Sequence, residues 1–125
     1  MLRQYKESVE KGDVTNVGFI EYEKVTKEVQ RKIIGVQTYA GVAVRATSQH
    51  LIDRIIGSEA QKRAGVSINK TVDTLENGFC DGVVKTNVKG QPSIKFESDC
   101  AIVTFNPDTF NVVQCNPKSR KKKNG

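Results

Sequence analysis

The chain has 125 residues and a formal net charge of +6; 37% of it is hydrophobic and 27% charged. Those figures describe a single domain with one modest core and exclude a collagen-like or low-complexity chain. No apolar run approaches the roughly 20 residues needed to span a bilayer, and the opening MLRQYKESVEKGD lacks the apolar stretch of a secretory signal, so no membrane insertion is expected.

Much of the positive charge is local. Lys118, Arg120, Lys121, Lys122 and Lys123 crowd the C-terminus, and the remainder of the chain is nearly balanced. Such a run attracts nucleic acid or an anionic surface without sequence preference. Cys80, Cys100 and Cys115 are an odd set without close spacing, and His50 is the only histidine. That pattern fits free thiols and gives no recognisable zinc-ligand spacing. No metal or cofactor is expected.

In chain order, residues 1–18 read as a helical or flexible lead-in, with Gly12 as a stop. Residues 19–117 read as the folded domain and 118–125 as a basic, disordered tail. Val25, Val29, Ile33 and Ile34 recur at helical spacing before Gly35. GVAVRA follows as a short strand. Ser48 or Thr47 caps a helix Gln49–Ile56 that Gly57 ends, and Ser67 caps another that stops at Asn77–Gly78. Past Gly78 the composition turns to strands: SIKFES, CAIVTFN and FNVVQCN, with DGVVKTNV a further candidate. Asn106–Pro107–Asp108 marks the hairpin between the last two. The sum is an α+β domain, N-terminal helices packed on a C-terminal antiparallel sheet of about four to five strands.

The period of two sorts the sheet residues. Ile94 and Phe96, then Ala101, Val103 and Phe105, then Val113 and Cys115 form the expected core face. Ser93, Lys95 and Glu97, Ile102 and Thr104, and Val112, Gln114 and Asn116 form the other face, where the hairpin brings Thr104 beside Gln114. A mixed polar face is either solvated or the floor of a cleft.

His50 lies off the apolar arc of Leu51, Ile52, Ile55 and Ile56, and Arg54 is one turn further along the same side. A histidine near cations suits RNA cleavage by internal transesterification. That reaction needs a base for the 2′-hydroxyl, an acid for the leaving 5′-oxygen and positive charge for the phosphorane. Glu97, Lys95, or a water held by Thr104 or Gln114 are the candidates for the second proton carrier. The chain lacks GxxxxGK[ST], GxGxxG, GxSxG and HExxH patterns. A thiol nucleophile is the lesser alternative, because Cys115 reads as buried.

The order of motifs resembles the phage-associated and polymorphic-toxin branch of the barnase–EndoU–colicin–RelE (BECR) ribonuclease fold. The residues are Val25–Thr26–Lys27–Glu28, Gly35–Val36–Gln37–Thr38, His50 with Arg54, a strand after Gly90–Gln91–Pro92–Ser93, and the Asn106–Pro107 hairpin, over about residues 20–119. Ile55 follows Arg54 where many members have a histidine, Phe110 replaces a common glycine, and Gln114 stands where a threonine is usual. The resemblance implies a toxin-like endoribonuclease acting on RNA, with tRNA the substrate class, and a cognate immunity protein as partner. It also implies delivery by secretion or by phage, within a larger protein, into the cytoplasm of a bacterial target cell.

Two readings follow. In the first, His50 is the general acid or base, Arg54 and Lys95 hold phosphate, and Glu97, Thr104 and Gln114 assist. Arg45, Lys85, Lys118, Ser119, Arg120 and Lys121 are then candidate nucleic-acid contacts. In the second, the domain is a non-catalytic structural or nucleic-acid-binding module that works through its tail.

Overall fold

The hairpin formed by residues 101–117 is the centre of the molecule. The computed structural model, which describes residues 1–62 and 64–118, runs in the order α1 (Leu2–Glu10), α2 (Phe19–Ile33), β1 (Ala46–Thr47), α3 (Gln49–Ile56), α4 (Ile68–Asn77), β2 (Lys85–Thr86), β3 (Pro92–Glu97), β4 (Ala101–Asn106) and β5 (Asn111–Pro117). The strands form one sheet in the order β1-β5-β4-β3-β2. The expected α+β architecture is present, with four helices and five strands among the described residues. The sheet, however, is mixed: β1 runs parallel to β5, and the other pairings are antiparallel. β1 is joined to β5 through all the intervening elements, so no tight turn forces the antiparallel sense on that pair.

The helices cover one face of the sheet. α3 lies on β5, α4 on β4 and β3, and α2 packs on α3 and α4. α2 begins at Phe19, ahead of the expected start, and buries Tyr22, Thr26, Val29 and Ile33 as a single stripe. Thr26 satisfies its hydroxyl on the Tyr22 carbonyl at 2.9 Å, which lets a polar residue sit in that stripe. Ile34, expected on the apolar face, lies past the helix end and is exposed. Ser67 caps α4 by accepting from the Lys70 amide at 3.1 Å.

The expected GVAVRA strand is largely a local hairpin. Thr38 and Val42 bond each other across a turn containing Gly41, whose φ is +86°, and Val44 bonds back to Val36. Those pairings consume the backbone groups that a longer sheet strand would need, and only Ala46 and Thr47 join β5. DGVVKTNV likewise supplies only Lys85 and Thr86 to the sheet.

The core face holds Ile94, Phe96, Ala101, Val103, Phe105 and Cys115 as expected, but Val112 replaces Val113. The register explains the exchange. Thr104 opposes Gln114, whereas Phe105 opposes Val112, so Val113 is an extra residue in a β-bulge. The bulge breaks the period of two and returns Val112 and Cys115 to the same side. Val112→Ala should therefore cost about 2 kcal/mol in denaturant unfolding, for lost burial and a residual cavity. Val113→Ala should cost clearly less, and the reverse order would contradict the bulge.

Candidate active site

Ser48 joins the sheet to the helix that bears His50. Its amide donates to the Val112 carbonyl at 3.1 Å. Its hydroxyl donates to the Val113 carbonyl and accepts from the Leu51 amide at 3.1 Å. One residue therefore closes the β1–β5 edge, caps α3 and places His50 in the first turn of that helix, exposed as its position off the apolar arc requires.

His50 stands between two cavities. The larger, about 520 Å³, lies between α1, the start of α3 and the ends of β3, β4 and β5; its walls include Glu7, Lys11, Asp13, Gln49, Asp53, Asn106 and Asn111. The smaller, about 280 Å³, spreads over the polar sheet face and is lined by Asn87, Val88, Ser93, Thr104 and Gln114. Four residues belong to both: His50, Lys89, Gln91 and Val113. The bulge thus serves the site directly, because it moves Val113 out of the core and into the wall between the two lobes.

Of the residues singled out in the sequence, His50, Thr104 and Gln114 come together in the smaller lobe. Thr104 and Gln114 are directly opposed across β4 and β5. Lys95 is the next residue in that row, opposite Thr104 on β3. It lines a separate depression of about 50 Å³ with Lys85, Asp81 and Ser93. Glu97 lines neither lobe and forms an ion pair with Lys118 at 2.6 Å. Arg54 lines neither lobe; its Nε is buried without a partner among the described residues. Arg45 lies over the Phe110 ring, 5.1 Å from its centroid. Ser119, Arg120 and Lys121 lie outside the described residues.

Lys89 and Gln91 were not foreseen. Their signal is the Asn87–Val88–Lys89–Gly90 turn between two short strands, which places both at a hairpin tip. Asp53 was not foreseen either, since it is an acid inside the apolar run Leu51–Ile56. It is buried in the wall of the larger lobe. The Ser8 hydroxyl, also buried, lies 2.9 and 3.0 Å from its two oxygens and donates to the carboxylate. Tyr22 donates at 3.3 Å. Gln49 in turn donates to Ser8 at 3.1 Å and Gln4 to Tyr22 at 2.9 Å. This hub ties α1, α2 and α3 together beneath the cleft.

Burial pushes the Asp53 carboxyl above its ordinary value, and repulsion from Asp13 adds to the rise. The hydrogen bonds from Ser8 and Tyr22, and a charged His50, act the other way. Burial likewise raises the Tyr22 hydroxyl. Among the described residues there is no cluster of three or more His, Cys, Asp or Glu side chains able to hold a metal ion. Cys80 and Cys100 are free thiols, half-buried and exposed respectively, and Cys115 is buried. No described helix is long and apolar enough to cross a membrane.

Comparison with protein-family models, with curated proteins and with solved structures finds no match.

The Asp53 shift carries a pH signature. A carboxyl raised in the folded state contributes stability below its unfolded value, near 3.8, and loses that contribution as pH climbs through the folded value. Asp53→Asn removes the titration. The stability of the parent relative to this variant should fall as pH rises from about 3.8, measured by denaturant unfolding; a pH-independent difference would contradict the assignment.

Proposed function

We propose that this chain is a metal-independent endoribonuclease domain of the BECR type, acting on RNA, with tRNA the substrate class its motif order suggests. The observation that supports this reading most is the position of His50 on the divide between two lobes, with a lysine and an amide side chain beside it in both. A ribonuclease of this kind must hold the nucleotides on either side of one phosphate and place a proton carrier at that phosphate. A two-lobed cleft with its imidazole at the divide suits the task.

In the reaction proposed, the 2′-oxygen loses its proton to a base and attacks the adjacent phosphorus. The P–O5′ bond breaks, and the leaving 5′-oxygen takes a proton from an acid. The products are a 2′,3′-cyclic phosphate and a 5′-hydroxyl. His50 carries one of the two protons, for which an imidazole is suited near neutral pH. Glu7 and Asp13, which line the larger lobe with it, are the candidate carriers of the second. Thr104 and Gln114 supply polar groups in the smaller lobe for a water or a ribose hydroxyl. Glu97, engaged by Lys118, serves as a structural ion pair in this scheme. A cognate immunity protein would act by covering the cleft mouth, and the basic residues beyond Lys118 would add sequence-independent attraction to the substrate.

Purified chain should cleave tRNA in the presence of EDTA and leave 2′,3′-cyclic phosphate ends. His50→Ala should lower the rate by roughly 100-fold or more with an unchanged unfolding transition, because the side chain is exposed. Full cleavage by a folded His50→Ala variant would overturn the assignment.

A further inference from the structure

We propose that the tip of the β2–β3 hairpin, residues 87–91, is the element that grips the RNA backbone, with the Lys89 ammonium on the phosphate undergoing transfer. This inference rests on the ribonuclease reading of the cleft.

The first observation is place. Lys89 is the one basic side chain among the described residues that lines both lobes, and it does so together with His50. Lys11 borders the larger lobe alone. Lys85 and Lys95 border the separate depression, Lys118 is held by Glu97, and Arg45 lies on Phe110. Among the described residues, the cations expected to meet phosphate are thus elsewhere or already engaged. Lys89 is exposed and has no carboxylate within 4.0 Å among the described residues. Its charge is available to an anion.

The second observation is a preset backbone. The Asn87 side-chain oxygen accepts from the Lys89 and Gln91 amides, each at 2.9 Å. The Asn87 amide donates to the Gln91 carbonyl and the Gly90 amide to the Asn87 carbonyl, again at 2.9 Å. Gly90 completes the turn at a φ of +80°, which a side chain would strain. Four hydrogen bonds centred on Asn87 therefore shape the tip before any ligand arrives, and a preset tip spends less ordering entropy on binding. Between Asn87 and Lys89, Val88 is fully exposed while lining the smaller lobe. An apolar side chain there presents a surface for the face of a ribose or base.

The division of labour follows from the chemistry. As the 2′-oxygen adds to phosphorus, negative charge grows on the non-bridging oxygens. An ammonium beside them attracts the transition state more strongly than the ground state.

Lys89→Ala, Lys89→Arg and, as a surface control on α4, Lys70→Ala test this in steady-state cleavage of an RNA oligonucleotide. Lys89→Ala should lower kcat by roughly 100-fold with a small change in KM and an unaltered unfolding transition. Lys89→Arg should recover most of the loss, and Lys70→Ala should match the parent. Unchanged kcat in Lys89→Ala, or a rise in KM alone, would overturn the assignment of Lys89 to the reacting phosphate while leaving the ribonuclease reading intact. No cleavage of any RNA by the parent would overturn the ribonuclease reading itself, and this inference with it.

Discussion

The bond set around Ser48 is the constraint on which the rest of the site depends. A helix N-terminus has amides with no partner inside the helix, and a sheet edge has carbonyls with none inside the sheet. Ser48 answers both at once, donating to the Val112 and Val113 carbonyls and accepting from the Leu51 amide. The strand-to-helix junction is thereby fixed to the bulged part of β5. His50, two residues on, is held where the polar face of the sheet and the end of the helical layer meet.

The bulge and the buried hub complete the geometry. The bulge rotates Val113 outward, so that the floor of the cleft carries Thr104, Gln114 and Val113 while Val112 and Cys115 fill the core. On the other side, Asp53 lies under the larger lobe and is met by Ser8 from α1 and Tyr22 from α2. A buried carboxylate destabilises a fold unless its oxygens are bonded. Here the partners come from two other helices, so the same group that strains the fold also fixes α1 against the cleft. The N-terminal segment, which composition alone describes as a lead-in, forms a wall of the larger lobe through Glu7 and Lys11.

The sequence was legible where period and capping agree. Ser48, Ser67 and Gly57 mark helix ends that the structure reproduces, and the Asn106–Pro107 hairpin sets the Thr104–Gln114 pair. It was not legible where a local feature broke the period. Val112 and Val113 exchange roles because a bulge is invisible to strict alternation. Residues 35–44 satisfy their own backbone in a small hairpin and leave little of the apparent strand for the sheet. Lys95 and Glu97 have the right chemistry on the right face, yet neither borders the cavities beside His50. Lys89, five residues ahead of Ile94, where the apolar Ile94–Phe96 pattern begins, reaches the site only through the hairpin's shape. Distance along a sheet row is readable from sequence; the fold of a turn over that sheet is not.

Under the proposed function, nucleic acid enters the two-lobed cleft divided by His50. Amide chemical-shift mapping with an RNA oligonucleotide made uncleavable by 2′-deoxy substitution tests it most directly. Shifts should concentrate at residues 48–50, 87–91, Thr104 and Gln114. Shifts confined to Lys118 and the basic run after it would contradict the claim and favour a module that binds through its tail.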